Sequence, residues 1–172
     1  QTVFQSDLSS WSGGEPLDWF GTKANISQAS VTEITTGASY GTSMAQLVNT
    51  GSSHKRFTTK NTEIIAGTTY EIKIWVSGIA GDLRTNYYDV TNDAYGTYNG
   101  YADVATSGGV ITQSITMPGT CDSTQFIISL RNTDATGVLV DSVSVSAGAP
   151  PVATPYSIYD IQFSAATPAD SP

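Results

Sequence analysis

Trp75 and Tyr88 are flat aromatic rings, Arg84 and Arg131 are planar guanidinium forks, and Asn86 and Gln125 are amides that both donate and accept. Their spacing makes them a set. Trp75 alternates with Glu71 and Lys73 along Tyr70–Ser77. Arg84, Asn86 and Tyr88 alternate through Leu83–Asp89, and Gln125 and Arg131 share a parity in Gln125–Asn132. In extended chain each segment turns these residues away from its apolar ones, and the reading places all six on one sheet face beside Glu71 and Lys73. Rings offer a stacking surface for faintly apolar C–H faces, while forks and amides meet hydroxyl or carboxylate edges, so the set suits a polyhydroxylated ligand. Trp19, Phe20, Tyr95, Tyr98 and Tyr101 lie in loop-like segments that would wall such a groove.

Each candidate also has a plainer reading. Arg84 and Arg131 could pair with Glu71 or Asp89 as a surface ion network. The Tyr95–Tyr101 cluster, with Gly96 and Gly100, could be a packed turn, and Trp19-Phe20 could cover the core. One bulge would turn Trp75 to the other face.

Reactive chemistry is sparse. A single His, His54, removes the usual histidine-based hydrolytic constellations, and it reads as a surface residue at the start of a strand. A single Cys permits neither an internal disulfide nor a thiolate metal cluster. Glu15, Asp18, Asp82, Asp89, Asp93 and Asp103 are carboxylates, yet no pair stands out and nearly all fall in turn-like sequence. No G-x-S-x-G elbow accompanies His54. The chain reads as a binder and not an enzyme.

The elements that would position these residues are strands. Tyr70, Ile72, Ile74 and Val76 alternate with Glu71, Lys73, Trp75 and Ser77 between turns at Ala66-Gly67 and Gly78. A Gly78–Gly81 turn reads as a hairpin into Leu83–Asp89. Gln125–Asn132 sends Phe126, Ile128 and Leu130 inward, and Val138–Val145 is a hydrophobic run broken by Asp141-Ser142. Weaker strands fall near Val3–Phe4, Ile26–Thr35, Met44–Val48, Phe57–Ile64 and Val110–Met117. No window carries a helical apolar stripe. The pattern predicts an all-β, two-sheet antiparallel sandwich over residues 1–147.

Composition agrees. The chain carries 45 serines and threonines and only 13% charged residues, and its 15 acids against 7 bases give a net charge of -8. Such a balance argues against a nucleic-acid partner, which clustered Lys and Arg would hold. No run approaches the roughly 18 apolar residues that span a bilayer, so no membrane partner is expected. The hydroxyl-rich, Lys-poor surface fits a secreted or cell-surface protein, and a start at Gln1 without Met fits a mature segment whose leader was removed or never included. Asn25-Ile26-Ser27 matches the glycosylation triplet, a pattern that also arises by chance. Residues 148–172 open with Gly148-Ala149-Pro150-Pro151, a stiff connector, and read as a linker plus the start of a following module, the whole a monomer within a multimodular chain.

Four stretches carry a family resemblance. Val3-Phe4-Gln5-Ser6-Asp7-Leu8-Ser9-Ser10-Trp11, Tyr40 to Leu47, Ala66 to Gly78 and Gly137 to Val145 follow one another as the opening, turn, long strand and closing strand of jelly-roll carbohydrate-binding modules related to families 4, 9, 16 and 22. The resemblance implies a jelly roll with polysaccharide or oligosaccharide bound on a concave sheet, and a core role for Trp11. It also implies a structural calcium ion held by Gln5 and Asp141, although Gln5 stands where the family has Glu and so loses one charge. Tyr156-Ser157-Ile158-Tyr159-Asp160-Ile161-Gln162 resembles the opening of an OB-like domain of secreted bacterial nucleases. The rival expectation is a structural or protein-interaction sandwich accessory to a secreted nuclease or hydrolase, since fold alone does not give function.

Overall fold

A computed structural model describes residues 1–78, 82–105 and 107–148; the expected Gly78–Gly81 hairpin turn, the linker past Gly148 and the nuclease-like segment lie outside them. In chain order the strands begin β1 (Thr2–Ser6), β2 (Trp11–Ser12), β3 (Glu15–Pro16), β4 (Val31–Ile34), β5 (Met44–Leu47), β6 (Lys55–Thr58) and β7 (Thr62–Glu63). They continue β8 (Thr69–Gly78), β9 (Asp82–Asp89), β10 (Ala94–Tyr95), β11 (Ala102–Asp103), β12 (Gly109–Thr116), β13 (Ser123–Leu130) and β14 (Val138–Ala147).

The first sheet runs β12-β8-β14-β5-β4, with β1 added on β14; the second runs β10-β9-β13-β6, with β11 on β9 and β7 on β13. Every pairing is antiparallel. The protein is an all-β antiparallel sandwich, as the alternation predicts, and of the jelly-roll type that the resemblance implies.

Periodicity accounts for what lies between the sheets. Tyr70, Ile72, Ile74 and Val76 of β8 are buried against Leu83 of β9 and Phe126, Ile128 and Leu130 of β13, with Val138, Val140, Val143 and Val145 of β14 completing the core. Each such side chain contributes about 1.5–3 kcal/mol of apolar transfer. The bulge between Val140 and Ser142 lets β14 keep Val143 inward after Val140. The expected strand over Ile26–Thr35 is shorter, because a 3-10 turn at Gln28–Ser30 precedes β4, and Phe57–Ile64 divides into β6 and β7.

The expected pairing of Tyr70–Ser77 with Leu83–Asp89 does not form. β8 is bonded to β12 and β14, and β9 to β13, β10 and β11, so the two consecutive strands lie in opposite sheets. Alternation sets which side chains share a face of one strand and is silent on which sheet that strand joins.

The turn after β9 is fastened by Asp89, which is 2% exposed and accepts the Asn92 backbone N–H (2.9 Å) and side-chain Nδ2 (2.7 Å). Burial acts to raise its pKa, but hydrogen bonds from the Asn92 side chain and backbone, the Cys121 thiol and the Thr91 N–H outweigh it, and the carboxyl sits below its usual value. A depressed carboxyl contributes stability above its unfolded pKa and loses it as pH falls through the folded one. In urea titrations below about pH 4, wild type will therefore lose unfolding free energy more steeply than Asp89→Asn. Parallel slopes would remove Asp89 from this role. Cys121 itself is fully buried, and burial chiefly pushes its thiol up to about 12, so it is no nucleophile.

Candidate functional site

On β9, Leu83 and Thr85 point inward, which turns Arg84, Asn86 and Tyr88 to the outer face of the second sheet. The β13 parity adds Gln125, Ile127 and Ser129, and the β6 parity, with Phe57 inward, adds Arg56 and Thr58. Register aligns Arg56, Ser129 and Arg84 in one row across the sheet, and Thr58, Ile127 and Asn86 in the next.

Two loops rim this floor. The segment from Ala94 follows the free edge of β9, with Gly96 N–H donating to Tyr87 O (2.9 Å) and Asn99 N–H to Thr85 O (3.0 Å). Residues 21–26 follow the edge of β6, where Gly21 N–H reaches Thr58 O and the Asn25 and Ile26 N–H groups reach Arg56 O. Gly21 is required there, since a Cβ would drive into the Thr59 carbonyl and the Gln125 amide.

From these rims tyrosines interleave with cations. Arg84 lies 3.8 Å over the Tyr98 ring and 4.6 Å over Tyr101; Arg131 lies 3.7 Å over Tyr101. Lys23 lies 4.4 Å over Tyr88, and Arg56 lies 5.4 Å over Tyr95. Four of the chain's seven Lys and Arg residues thus gather on one face of an acidic protein. The Tyr101 hydroxyl (2.7 Å) and Arg84 Nη2 (3.2 Å) both meet His54 Nδ1; arginine can only donate, so Nδ1 accepts and the ring proton belongs on Nε2. Tyr88 donates to Asp93, a bond that chiefly holds the phenol up at about 12. At the far end Arg131 pairs with Asp82 (3.2 Å), whose pKa is raised by its hydrogen bond to the cross-strand Asp103, by burial and by the Asp103 charge, against the pull of Arg131.

Beneath these side chains the floor is unsatisfied. Among the described residues, Thr58 Oγ1, Arg84 Nε, Asn86 Oδ1 and Ser129 Oγ are shut off from solvent with no protein partner, and all four belong to the two adjacent rows. Buried polar groups ordinarily find partners, and leaving one unpaired costs about 1–3 kcal/mol. All four lie beneath the tyrosines and cations of the same face. Cation–π contacts of about 0.5–1 kcal/mol at exposed positions close it.

The structure brings Arg84, Asn86, Tyr88, Gln125 and Arg131 to this face, places Trp75 and Trp19 elsewhere, and leaves Gln125 no free polar atom. Trp75 points out of the first sheet, on the opposite side of the sandwich, beside Lys73 and Glu71, which pair with each other at 3.3 Å. Trp19 is 1% exposed and belongs to the core, stacked on Phe57 at 4.2 Å. Gln125 is 2% exposed and fully engaged, its oxygen accepting Lys23 N–H and its nitrogen donating to Thr22 and Asn61. It latches the rim and is no free ligand contact.

Sequence reasoning missed Lys23, Arg56 and Thr58. The parity of Arg56 and Thr58 about Phe57 was readable, whereas Lys23 arrives from a loop that carries no period. Ser129 shares the outward parity of Gln125 and Arg131 and gains its importance only from its unpaired hydroxyl.

Gln5 and Asp141, the pair that the resemblance implies for calcium, do not sit together. β1 places Gln5 opposite Ser144, three residues from Asp141, and Gln5 and Asp141 line different cavities. Asp141 Oδ2 accepts Ser39 N–H (2.8 Å), and no three His, Cys, Asp or Glu side chains converge among the described residues. A half-engaged carboxylate and a neutral amide in another cavity are not the adjoining ligand pair implied for a calcium cage of about six to eight oxygens.

No family model matches the chain, and no curated protein matches its sequence. Solved structures match its fold. A Clostridium thermocellum xylanase 10B fragment, a family 22 carbohydrate-binding module with a family 10 glycoside hydrolase module complexed with xylohexaose, aligns at 17% identity and TM-score 0.59 over 87% of this chain. The tandem family 22 modules of Paenibacillus barcinonensis xylanase 10C align at 16% and 0.57 over 87% of this chain. The family 6 module of Cellvibrio mixtus lichenase 5A, solved with cellotriose, aligns at 10% and 0.56 over 87% of this chain and 100% of its own. The chain spans 29% of the xylanase fragment and 47% of the tandem. These likenesses show that the chain has the jelly-roll fold of those modules; none of them reports on the nuclease-like tail.

Proposed function

We propose that this chain is a noncatalytic module of a secreted multimodular protein, binding polysaccharide across the outer face of the second sheet. The observation that carries this reading is the set of four buried, unpartnered polar atoms under the tyrosines and cations. Guanidinium forks donate bidentately to a carboxylate, and Arg84 has no carboxylate partner among the described residues. Glycans with uronate carboxylates therefore fit better than uncharged ones. Sugar C–H faces would stack on Tyr95, Tyr98 and Tyr101 as hydroxyls reach Asn86, Ser129 and Thr58.

One observation favours the rival reading of a structural module without a glycan. The floor residues Asn86, Ser129 and Thr58 have no exposed surface, so the face is closed by the side chains above it. A ligand must displace weak cation–π contacts to enter, which limits affinity.

Affinity electrophoresis in polygalacturonate, alginate, uncharged xylan and hydroxyethyl cellulose tests the reading. Retardation is expected in the two polyuronates, with dissociation constants between about 1 μM and 1 mM that weaken as salt screens the charges. Migration unaffected by any of the four would overturn it in favour of the structural module.

A further inference from the structure

The first sheet carries a cleft of different chemistry on its own outer face. Trp75 on β8 and Tyr40, from the loop before β5, have ring centroids 5.0 Å apart with planes inclined at 51°, so the two rings form an open V. Tyr40 is 51% exposed. Ile34, Met44, Val110 and Leu139 complete the walls of a space of about 720 Å³. Asp141 lies in its lining at the β14 bulge. Its Oδ2 takes the Ser39 N–H, while Oδ1 is buried and finds no donor among the described residues. Among the described residues, no Lys, Arg or His lines the cleft.

A desolvated carboxylate oxygen in the lining of a cleft that also carries two aromatic rings needs a donor that arrives with an apolar surface beside it. A sugar hydroxyl on a pyranose ring supplies both, its O–H meeting Oδ1 while the C–H face lies on the indole. A uronate is disfavoured, because its charge would face Asp141 with no cation to offset it.

We propose that the Tyr40–Trp75–Asp141 cleft is a second saccharide site, taking an uncharged sugar unit, on the side of the sandwich opposite the tyrosine–arginine face. This rests on reading the chain as a glycan-binding module, but the two sites differ in the charge of the ligand they accept. With both occupied, one copy holds an anionic and a neutral chain on opposite faces, an arrangement that raises retention on a mixed matrix beyond either site alone.

Cellohexaose and mannohexaose, followed by tryptophan fluorescence and isothermal titration calorimetry, are the neutral probes, and polygalacturonate is the anionic one. Trp75→Ala is expected to weaken neutral binding at least tenfold and Asp141→Asn about threefold to tenfold. Both should leave polygalacturonate binding within twofold of wild type, and Arg84→Ala should show the reverse pattern. Thermal unfolding of each variant checks that the outward substitutions leave the fold intact, and Trp75→Phe should retain most neutral binding. Neutral binding indifferent to Trp75→Ala, or lost with Arg84→Ala, overturns the second site. Wild type that binds polygalacturonate and neither hexasaccharide sinks this proposal and spares the first; binding to none sinks both. Calcium binding abolished by Asp141→Asn, without any neutral sugar binding, would make Oδ1 a metal ligand and also overturn it.

Discussion

Trp19→Ala will lower the unfolding free energy by about 3–5 kcal/mol, the largest effect expected of any substitution considered for this chain. The indole stacks on Phe57 at 4.2 Å and 6°, meets Phe4 edge-on at 5.5 Å, and donates from Nε1 to Ser6 Oγ at 3.1 Å. It ties β1 to β6, and its backbone bridges to Thr59. Truncation would leave a ring-sized void among rigid neighbours. The backbone raises the stakes, because Asp18 (φ 68°) and Phe20 (φ 60°) on either side hold left-handed conformations that cost roughly 1–2 kcal/mol each for residues with a Cβ. Burial of the indole sustains that geometry, so its loss also frees the rim segment that carries Lys23. Urea denaturation at neutral pH measures the change, with Trp75→Ala as the comparison, since that ring points outward and is only half-buried. An unchanged midpoint in Trp19→Ala, accompanied by lost glycan binding, would restore Trp19 as a groove wall.

The second large effect concerns binding. Replacing Arg84 and Arg131 together by Ala will weaken polygalacturonate binding about a hundredfold or more, each charge-assisted hydrogen bond being worth about 1.5–3 kcal/mol. The two are not independent, because both lie over the Tyr101 ring, so the double variant will fall short of the sum of the singles. Arg84→Lys should recover little, since an ammonium keeps the charge and loses the planar fork that carboxylates and tyrosine faces both engage. Calorimetry at low salt reads the affinities. Binding within twofold of wild type in the double variant would move the anionic site elsewhere on the molecule.

These two results would separate roles that look alike in sequence. Trp19 and Trp75 are both tryptophans near polar residues, and only packing makes one a core stack and the other an outward platform. Gln125 and Asn86 are both outward amides on adjacent strands at the correct parity. Three hydrogen bonds consume Gln125, whereas Asn86 keeps its oxygen free. No period distinguishes them, because the partners come from Lys23, Thr22 and Asn61, far along the chain.

By itself the sequence determined the fold class and the parity of each strand, because alternation is a local property of extended backbone and burial of one face enforces it. Arg84, Asn86 and Tyr88 are on a common face for that reason. The ordered motifs from Val3 to Val145 likewise anticipated the jelly roll. Tertiary structure alone decided which faces coincide. β8 and β9 follow one another in the chain but bond into opposite sheets, so Trp75 and Arg84, expected side by side, stand on opposite surfaces. Strand pairing is settled by long-range hydrogen bonding and core packing, which leave no mark in the spacing of either strand. The same long-range pairing divided the one expected groove between two outer faces of unlike charge.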